Sequence, residues 1–312
     1  METRNEIQPL EIAPLFKSGI VQSRAVGPFR VTRVLEYSGP THDPNFLFPG
    51  QNHARAFASQ RSSLAPEHWV PAMNKLVITI QLWVVHVGGN IIVIDTGVGN
   101  GKPRGTPRMN MLNGLVLPWL EAAGASAEKV THVIMTHLHP DHVGWNTVLS
   151  EGRWIPTFPN AQYLLPKPDF DYWGGKHETG DPSTGWFGDS VLPVFKEGLA
   201  GFIDDSREVG DCIAVQQTPG HTPGHVALWL RTQGESAVFC ADIAHSPIQI
   251  AEPDWNTCYC LIPDLARATR RAFLSTAAQE EALIMPMHFG APYCGYVRKQ
   301  GNGFIYEPAT WP

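Results

Sequence analysis

The sequence is short of charge, of paired cysteines and of long apolar runs, and each shortage removes a class of protein. Charged residues make up 17% of its 312 positions, against about 25% in an average globular protein, and hydrophobic residues reach 43%. A disordered tail or a highly charged scaffold is thereby excluded. Lys plus Arg number 23 and Asp plus Glu 29, a net charge of −6 with no basic field for a phosphate backbone, so nucleic acid is not an expected partner. No segment approaches the roughly 20 apolar residues of a membrane span, and METRNEIQPLEIAP lacks the cationic and apolar regions of a secretory signal. The expectation is a cytoplasmic protein without a membrane partner. The five cysteines, Cys212, Cys240, Cys258, Cys260 and Cys294, are scattered and form no CxxC pair, which argues against a disulfide framework and against a thiolate zinc site.

What the chain does have is β-branched runs between turn signals, and 13 histidines. Strands are predicted over 29–35, 76–87, 90–95, 130–135, 161–165, 212–217, 225–230, 237–241, 282–285 and 304–306, and helices over 109–123, from about 168, and over 263–276. No short repeat or low-complexity linker divides the chain, so the alternation of strands and helices predicts sheets covered by helices in one domain over residues 1–312. Residues 37–75, dominated by Pro, Asn, His and aromatics, fit that alternation badly. They are expected to form a surface excursion, a pocket wall or the contact of a homodimer.

Chemistry concentrates at one strand end. His137-x-His139-x-Asp141-His142 places four metal-competent side chains in six residues, where i and i+2 converge and i+4 and i+5 reach a neighbouring position, enough for two metals. Imidazole and carboxylate without sulfur suit Zn, Fe, Mn or Co in sites that keep a water. A solvated turn containing a proline has no need of three imidazoles. Further ligand types follow apolar runs at His221 and His225 in GHTPGH, at Asp242 and His245 in ADIAH, and at His288 in PMH.

The run THLHPDHVGW, with IDTG before it and TPGHTPGH, CAD and MPMHFG after it, resembles the metallo-β-lactamase-fold hydrolases in motif order as well as type over residues 91–289. The resemblance implies an α/β fold, a four-layer αβ/βα sandwich with metals at one end of the facing sheets. It further implies one divalent ion on His137, His139 and His221, a second on Asp141, His142 and His288, and Asp242 bridging them, with zinc the first expectation. The residue matching Asp95 supports the metal loop by hydrogen bonds in that family. His225 and His132 are read as structural, and Gly97, Gly144, Gly220 and Gly224 as tight turns that bring backbone close to the metals.

A dinuclear centre implies a bridging hydroxide as nucleophile, oriented by Asp141 and Asp242, and no serine elbow is present. Basic residues are almost absent around the ligand motifs, which points to a neutral or weakly charged ester rather than a phosphate. Three residues after Asp242 stands His245, with Gln249 beyond it. The methyl-parathion-hydrolase-like branch is similar there, whereas acyl-homoserine lactonases tend to carry Tyr. His245 is accordingly a candidate to assist the leaving group, or else packs beneath Asp242. Trp83, Trp145, Trp186, Phe187 and Phe289 are candidates for an aromatic pocket wall, or for core. The expected activity is hydrolysis of a small-molecule lactone or ester, with promiscuous phosphotriester cleavage. The alternatives are a glyoxalase-II-type thioesterase and a mononuclear iron persulfide dioxygenase, in which His142 and His288 would be idle.

Overall fold

The computed structural model describes residues 19–203, 208–209 and 213–311. The N-terminal segment read for a leader, and Cys212, lie outside them. Among the described residues, two large sheets carry the architecture. The first runs in the order Val21–Val26, Phe29–His42, Lys75–Val87, Asn90–Ile94, His132–Ile134, Gln162–Leu165, Ala200–Phe202. Its pairs are antiparallel up to Asn90–Ile94 and parallel thereafter, and the short Trp69–Val70 pairs with Lys75–Val87. The second runs Glu208–Val209, Ile213–Gln217, Val226–Arg231, Ser236–Ala241, Leu283–Pro286, Gly295–Gln300, Gly303–Pro308, with one parallel pair, Ser236–Ala241 beside Leu283–Pro286.

Both sheets are covered on both faces, which is why their strands read as continuous apolar runs rather than as alternating ones. Along Lys75–Val87, Trp83 and Val85 point to the space between the sheets, where they meet Leu228, Phe239 and Met285. Leu82 and Val84 point the other way, onto Leu120, Trp186 and Phe187. On the far side of the second sheet, Trp229 and Ile284 pack against Phe273, Leu274 and Ala277 of the helix Pro263–Gln279. The result is an αββα sandwich, and each large side chain buried in it contributes about 1.5–3 kcal/mol. That helix opens with Pro263 at its first position and Asp264 in its first turn, as an N-terminus favours.

Two expectations need correction, and a choice left open for five aromatics is decided. The helix over 109–123 shrinks to Val116–Ala122; before it, a 3₁₀ turn at Pro107–Met109 and a loop are held by Asn100, whose side chain brackets Gly114 with bonds of 2.8 and 2.9 Å. Side-chain bonds to the backbone there compete with the helical ladder. Residues 37–75 are only partly an excursion. Phe29–His42 pairs with Lys75–Val87 as far as His42, and the short helices Pro44–Leu47, His53–Ser59 and Arg61–Leu64 bury Leu47, Phe48, Phe57 and Leu64 against Ile248 and Trp255. The aromatic wall is core: Trp83, Trp145, Trp186, Phe187 and Phe289 are all buried in apolar clusters and none lines the cavity at the site. So much apolar area is worth more inside than at a wet surface. No described helix is long and apolar enough to cross a membrane.

Candidate metal centre

The seven proposed ligands lie in loops that follow strands of the sandwich. His132–Ile134 leads into His137, Ser236–Ala241 into Asp242, and Leu283–Pro286 into His288, while His221 follows Ile213–Gln217. Backbone bonds lock the loops together: Val226 N–H donates to Thr136 O (2.9 Å), Trp145 N–H to Thr96 O (2.8 Å), and Leu261 N–H to His221 O (2.9 Å). Two glycines are required by proximity. A Cβ on Gly144 would lie 1.9 Å from the Val98 carbonyl, and one on Gly220, at φ 135°, 2.4 Å from Ala266 of the long helix.

Two ligand groups result. His137, His139, His221 and Asp242 bring their donor atoms within 4.8 Å of one another, and so do Asp141, His142 and His288. Asp242 lies between the groups. Its Oδ2 stands 3.5 Å from His137 Nε2 and 3.2 Å from His221 Nε2, and its Oδ1 stands 3.4 Å from His142 Nε2 and 3.1 Å from His288 Nε2. His245 Nε2 is 3.2 Å from the same carboxylate, so His245 both lines the cavity and packs on Asp242. A third grouping, Asp242, His245 and His288, is also compact.

Outer hydrogen bonds decide which nitrogen each imidazole presents. His142 Nδ1–H donates to Asp95 Oδ2 (2.7 Å) and His288 Nδ1–H to the Thr79 carbonyl (2.7 Å), leaving both Nε2 atoms inward. Asp95 also accepts from Thr136 N–H (2.7 Å) and Thr136 Oγ1–H (2.6 Å), the supporting role its position implied. His139 turns Nδ1 inward, 3.1 Å from His137 Nε2 and 2.9 Å from His221 Nε2. His225 stays outside the groups: Asp242 N–H donates to its Nε2, so Nδ1 carries the proton and donates to Thr218 Oγ1.

The electrostatics call for a cation. Among the described residues, the buried carboxylates of Asp95 and Asp242 and the partly exposed one of Asp141 pair with imidazoles and with no Lys or Arg. Burial works against its charge, yet His288 and His142 hold the Asp242 carboxyl well below the usual range. Burial likewise lowers His142, but Asp242 and Asp95 outweigh it and raise the imidazole well above its ordinary value. Burial keeps His137 and His139 far down, and His221 at about 3, ready to coordinate as neutral rings. His142 Nε2, Asp242 Oδ1 and His245 Nδ1 are buried without a hydrogen-bond partner. Orphaned polar atoms of this kind are costly unless something binds them, and the donor set fits a pair of divalent ions.

The superfamily profile described as "Metallo-beta-lactamase superfamily" matches residues 79–288, more than half of the chain. The chain belongs to the metallo-beta-lactamase superfamily. Among its metallo-beta-lactamase relatives, a protein named N-acyl homoserine lactonase from Bacillus sp is 25% identical over 159 residues, 47% of this chain and 56% of its own. A hydroxyacylglutathione hydrolase from Rhodospirillum rubrum is 31% identical over 139 residues, 42% of this chain and 41% of its own. The chain thus spans about half the length of these curated relatives. Two solved structures share the fold across 94% of the chain and 98% of their own: hydrolase AbOPH, at TM-score 0.78 and 24% identity, and AidC, described as a dizinc quorum-quenching lactonase, at 0.76 and 21%.

Several residues of the site escape sequence reading. Asp169, at the start of the helix Lys167–Glu178, accepts from Leu138 N–H (2.8 Å) and Gly224 N–H (2.5 Å), and so ties the HxHxDH loop to the His221 loop. Its one signal is a strand, Gln162–Leu165, followed by an acidic residue in a helix's first turn. Glu36 accepts from Val98 N–H, Gly99 N–H and Trp145 Nε1–H, fixing the loop after Asp95. Beside the ligands opens a cavity walled by Leu47, Ile78, Met109 and Pro140, with His42 and Tyr259 joined by a 2.9 Å hydrogen bond. Thr106 and Arg108 also line it. The scarcity of basic residues around the motifs therefore does not extend to the cavity, because the loop before Val116–Ala122 brings an arginine back across it.

Proposed function

We propose that the chain is a hydrolase of lactones or carboxylic esters dependent on two divalent ions, one held by His137, His139 and His221 and one by Asp141, His142 and His288, with Asp242 shared. The position of Asp242 supports the reading, since its carboxylate stands within 3.1–3.5 Å of imidazoles from both groups, His137 and His221 on one side and His142 and His288 on the other. Bound there, the ions supply Lewis acidity and a water of lowered pKa, so no serine or cysteine nucleophile is needed. Zinc is the proposed metal, and the same donors accept Mn, Fe or Co.

The rest falls to the side chains. Asp141 and Asp242 accept hydrogen bonds from the attacking water and fix its direction. With Nε2–H held against Asp242, His245 keeps Nδ1 available to take up a proton and deliver it to the leaving oxygen. Leu47, Ile78 and Met109 give the acyl or alkoxy chain an apolar seat that excludes water. Relatives named as lactonases support the lactone reading. The relative named hydroxyacylglutathione hydrolase supports a second one, thioester cleavage.

A panel of lactone, aryl ester, phosphotriester and S-lactoylglutathione separates the readings. The expected outcome is that lactone or ester turnover dominates, falls at least about 100-fold on chelation and returns with added zinc or manganese. Dominant S-lactoylglutathione turnover would select the thioesterase, and turnover untouched by chelation would remove the metal from the account.

A further inference from the structure

Two neighbouring side chains of the cavity wall each keep a buried polar atom without a partner, while the rest of the Arg108 guanidinium reaches the Tyr259 hydroxyl. Thr106 Oγ1 and Arg108 Nε are both buried, neither has a hydrogen-bond partner, and both residues line the cavity wall. Among the described residues no carboxylate pairs with Arg108. Arg104, four residues earlier, shows the contrast: its guanidinium makes a two-pronged pair with Asp189, at 2.7 and 2.9 Å. A half-buried guanidinium left without a counter-charge is costly, and its planar fork of donors matches a carboxylate better than any neutral acceptor.

The turn is built to hold that fork still. Arg104 N–H donates to Asn110 Oδ1 (2.9 Å), Met111 N–H to Lys102 O (2.8 Å) and Gly101 N–H to Leu112 O (2.9 Å), which closes the loop around the Pro107–Met109 turn. The Arg104–Asp189 pair then anchors the loop to the body of the fold. Across the cavity, His42 offers no competing charge: burial first, and the Arg108 cation second, hold its imidazole down to about 3, with Asp141 acting weakly the other way. Asp141 and Asp242, the acidic residues that line the cavity, belong to the ligand groups. Leu47, Ile78 and Met109 give the same cavity an apolar wall that suits a hydrocarbon spacer.

We propose that Thr106 and Arg108 form a carboxylate-binding subsite, so that the preferred substrate is an ester or lactone carrying a carboxylate separated from the scissile bond by an apolar spacer. This rests on the hydrolase reading above and narrows it. Thr106 and Arg108 act here as specificity residues, in contact with the substrate but remote from the reacting atoms.

The test uses zinc-loaded protein and matched p-nitrophenyl esters whose acyl chains end either in a carboxylate or in the corresponding primary amide. The wild type is expected to favour the carboxylate ester in kcat/KM, and Arg108→Ala and Arg108→Gln to lower that preference about 10- to 100-fold, mainly through KM. Arg108→Lys should retain part of the preference, and Thr106→Val should lose less than Arg108→Ala. A wild-type preference near unity, or one unchanged by Arg108→Ala, would overturn the subsite. Should the wild type cleave neither ester, the hydrolase reading fails, and calorimetric binding of the non-hydrolysable anilide pair decides the subsite instead. A carboxylate anilide bound about tenfold or more weakly by Arg108→Ala supports it, and equal binding by both proteins overturns it.

Discussion

Asparagine in place of Asp242 is expected to lower lactone or ester turnover by about three orders of magnitude and to reduce bound metal from about two ions per chain to one or fewer. The substitution is nearly isosteric, so the sandwich is retained, but it removes the one charge that both ligand groups share. A divalent ion acting as Lewis acid supplies several kcal/mol of transition-state stabilisation, and each 1.36 kcal/mol is tenfold in rate. The new amide would also turn N–H donors toward a cluster of imidazoles already crowded around this position. Steady-state kinetics with elemental analysis checks both halves, and near-normal turnover with two retained ions would show that Asp242 is a bystander.

Alanine at Asp95 is expected to weaken binding of the ion held by Asp141, His142 and His288 about 10- to 100-fold while sparing the His137, His139 and His221 group. Of the ligands, Asp95 hydrogen-bonds His142 directly and reaches His137 only through Thr136. Through Nδ1 it fixes which nitrogen His142 presents and how its ring is oriented, and it satisfies both donors of Thr136 just before His137. Its loss leaves buried donors unpaired, at a cost of about 1–3 kcal/mol each. A competition titration that resolves two affinities should therefore show one shifted far more than the other. Two equal shifts would mean that Asp95 braces the whole loop rather than one ring.

These expectations rest on residues that differ in how far the chain itself reveals them. His137, His139, Asp141 and His142 were legible because they are contiguous and directly follow a strand, so one local turn sets their geometry. His221, Asp242 and His288 were legible only through their order, since no local pattern brings them together. Thr79 was not legible at all: it lies in the middle of a buried strand, and its carbonyl meets His288 across 209 residues of sequence. Glu36 and Asp169 share that character, each binding backbone groups of loops far from it. Of the two readings for the five aromatics, pocket wall or core, the structure gives core, because bulky apolar side chains near a motif in sequence are drawn to the nearest core, not to the nearest cavity. Arg108 stands just before the helix predicted over 109–123, and what carries it to the cavity is a loop tied by the distant pair Asn100 and Gly114, which no local pattern reveals.

The claim on which the whole account depends is that seven side chains form two adjoining cation sites with one carboxylate in common. Titration of metal-stripped protein with zinc, read by calorimetry and repeated on His142→Ala, tests it most directly. Two equivalents in the parent and one in the variant are the predicted result; a single equivalent in both, indifferent to the loss of His142, would contradict it.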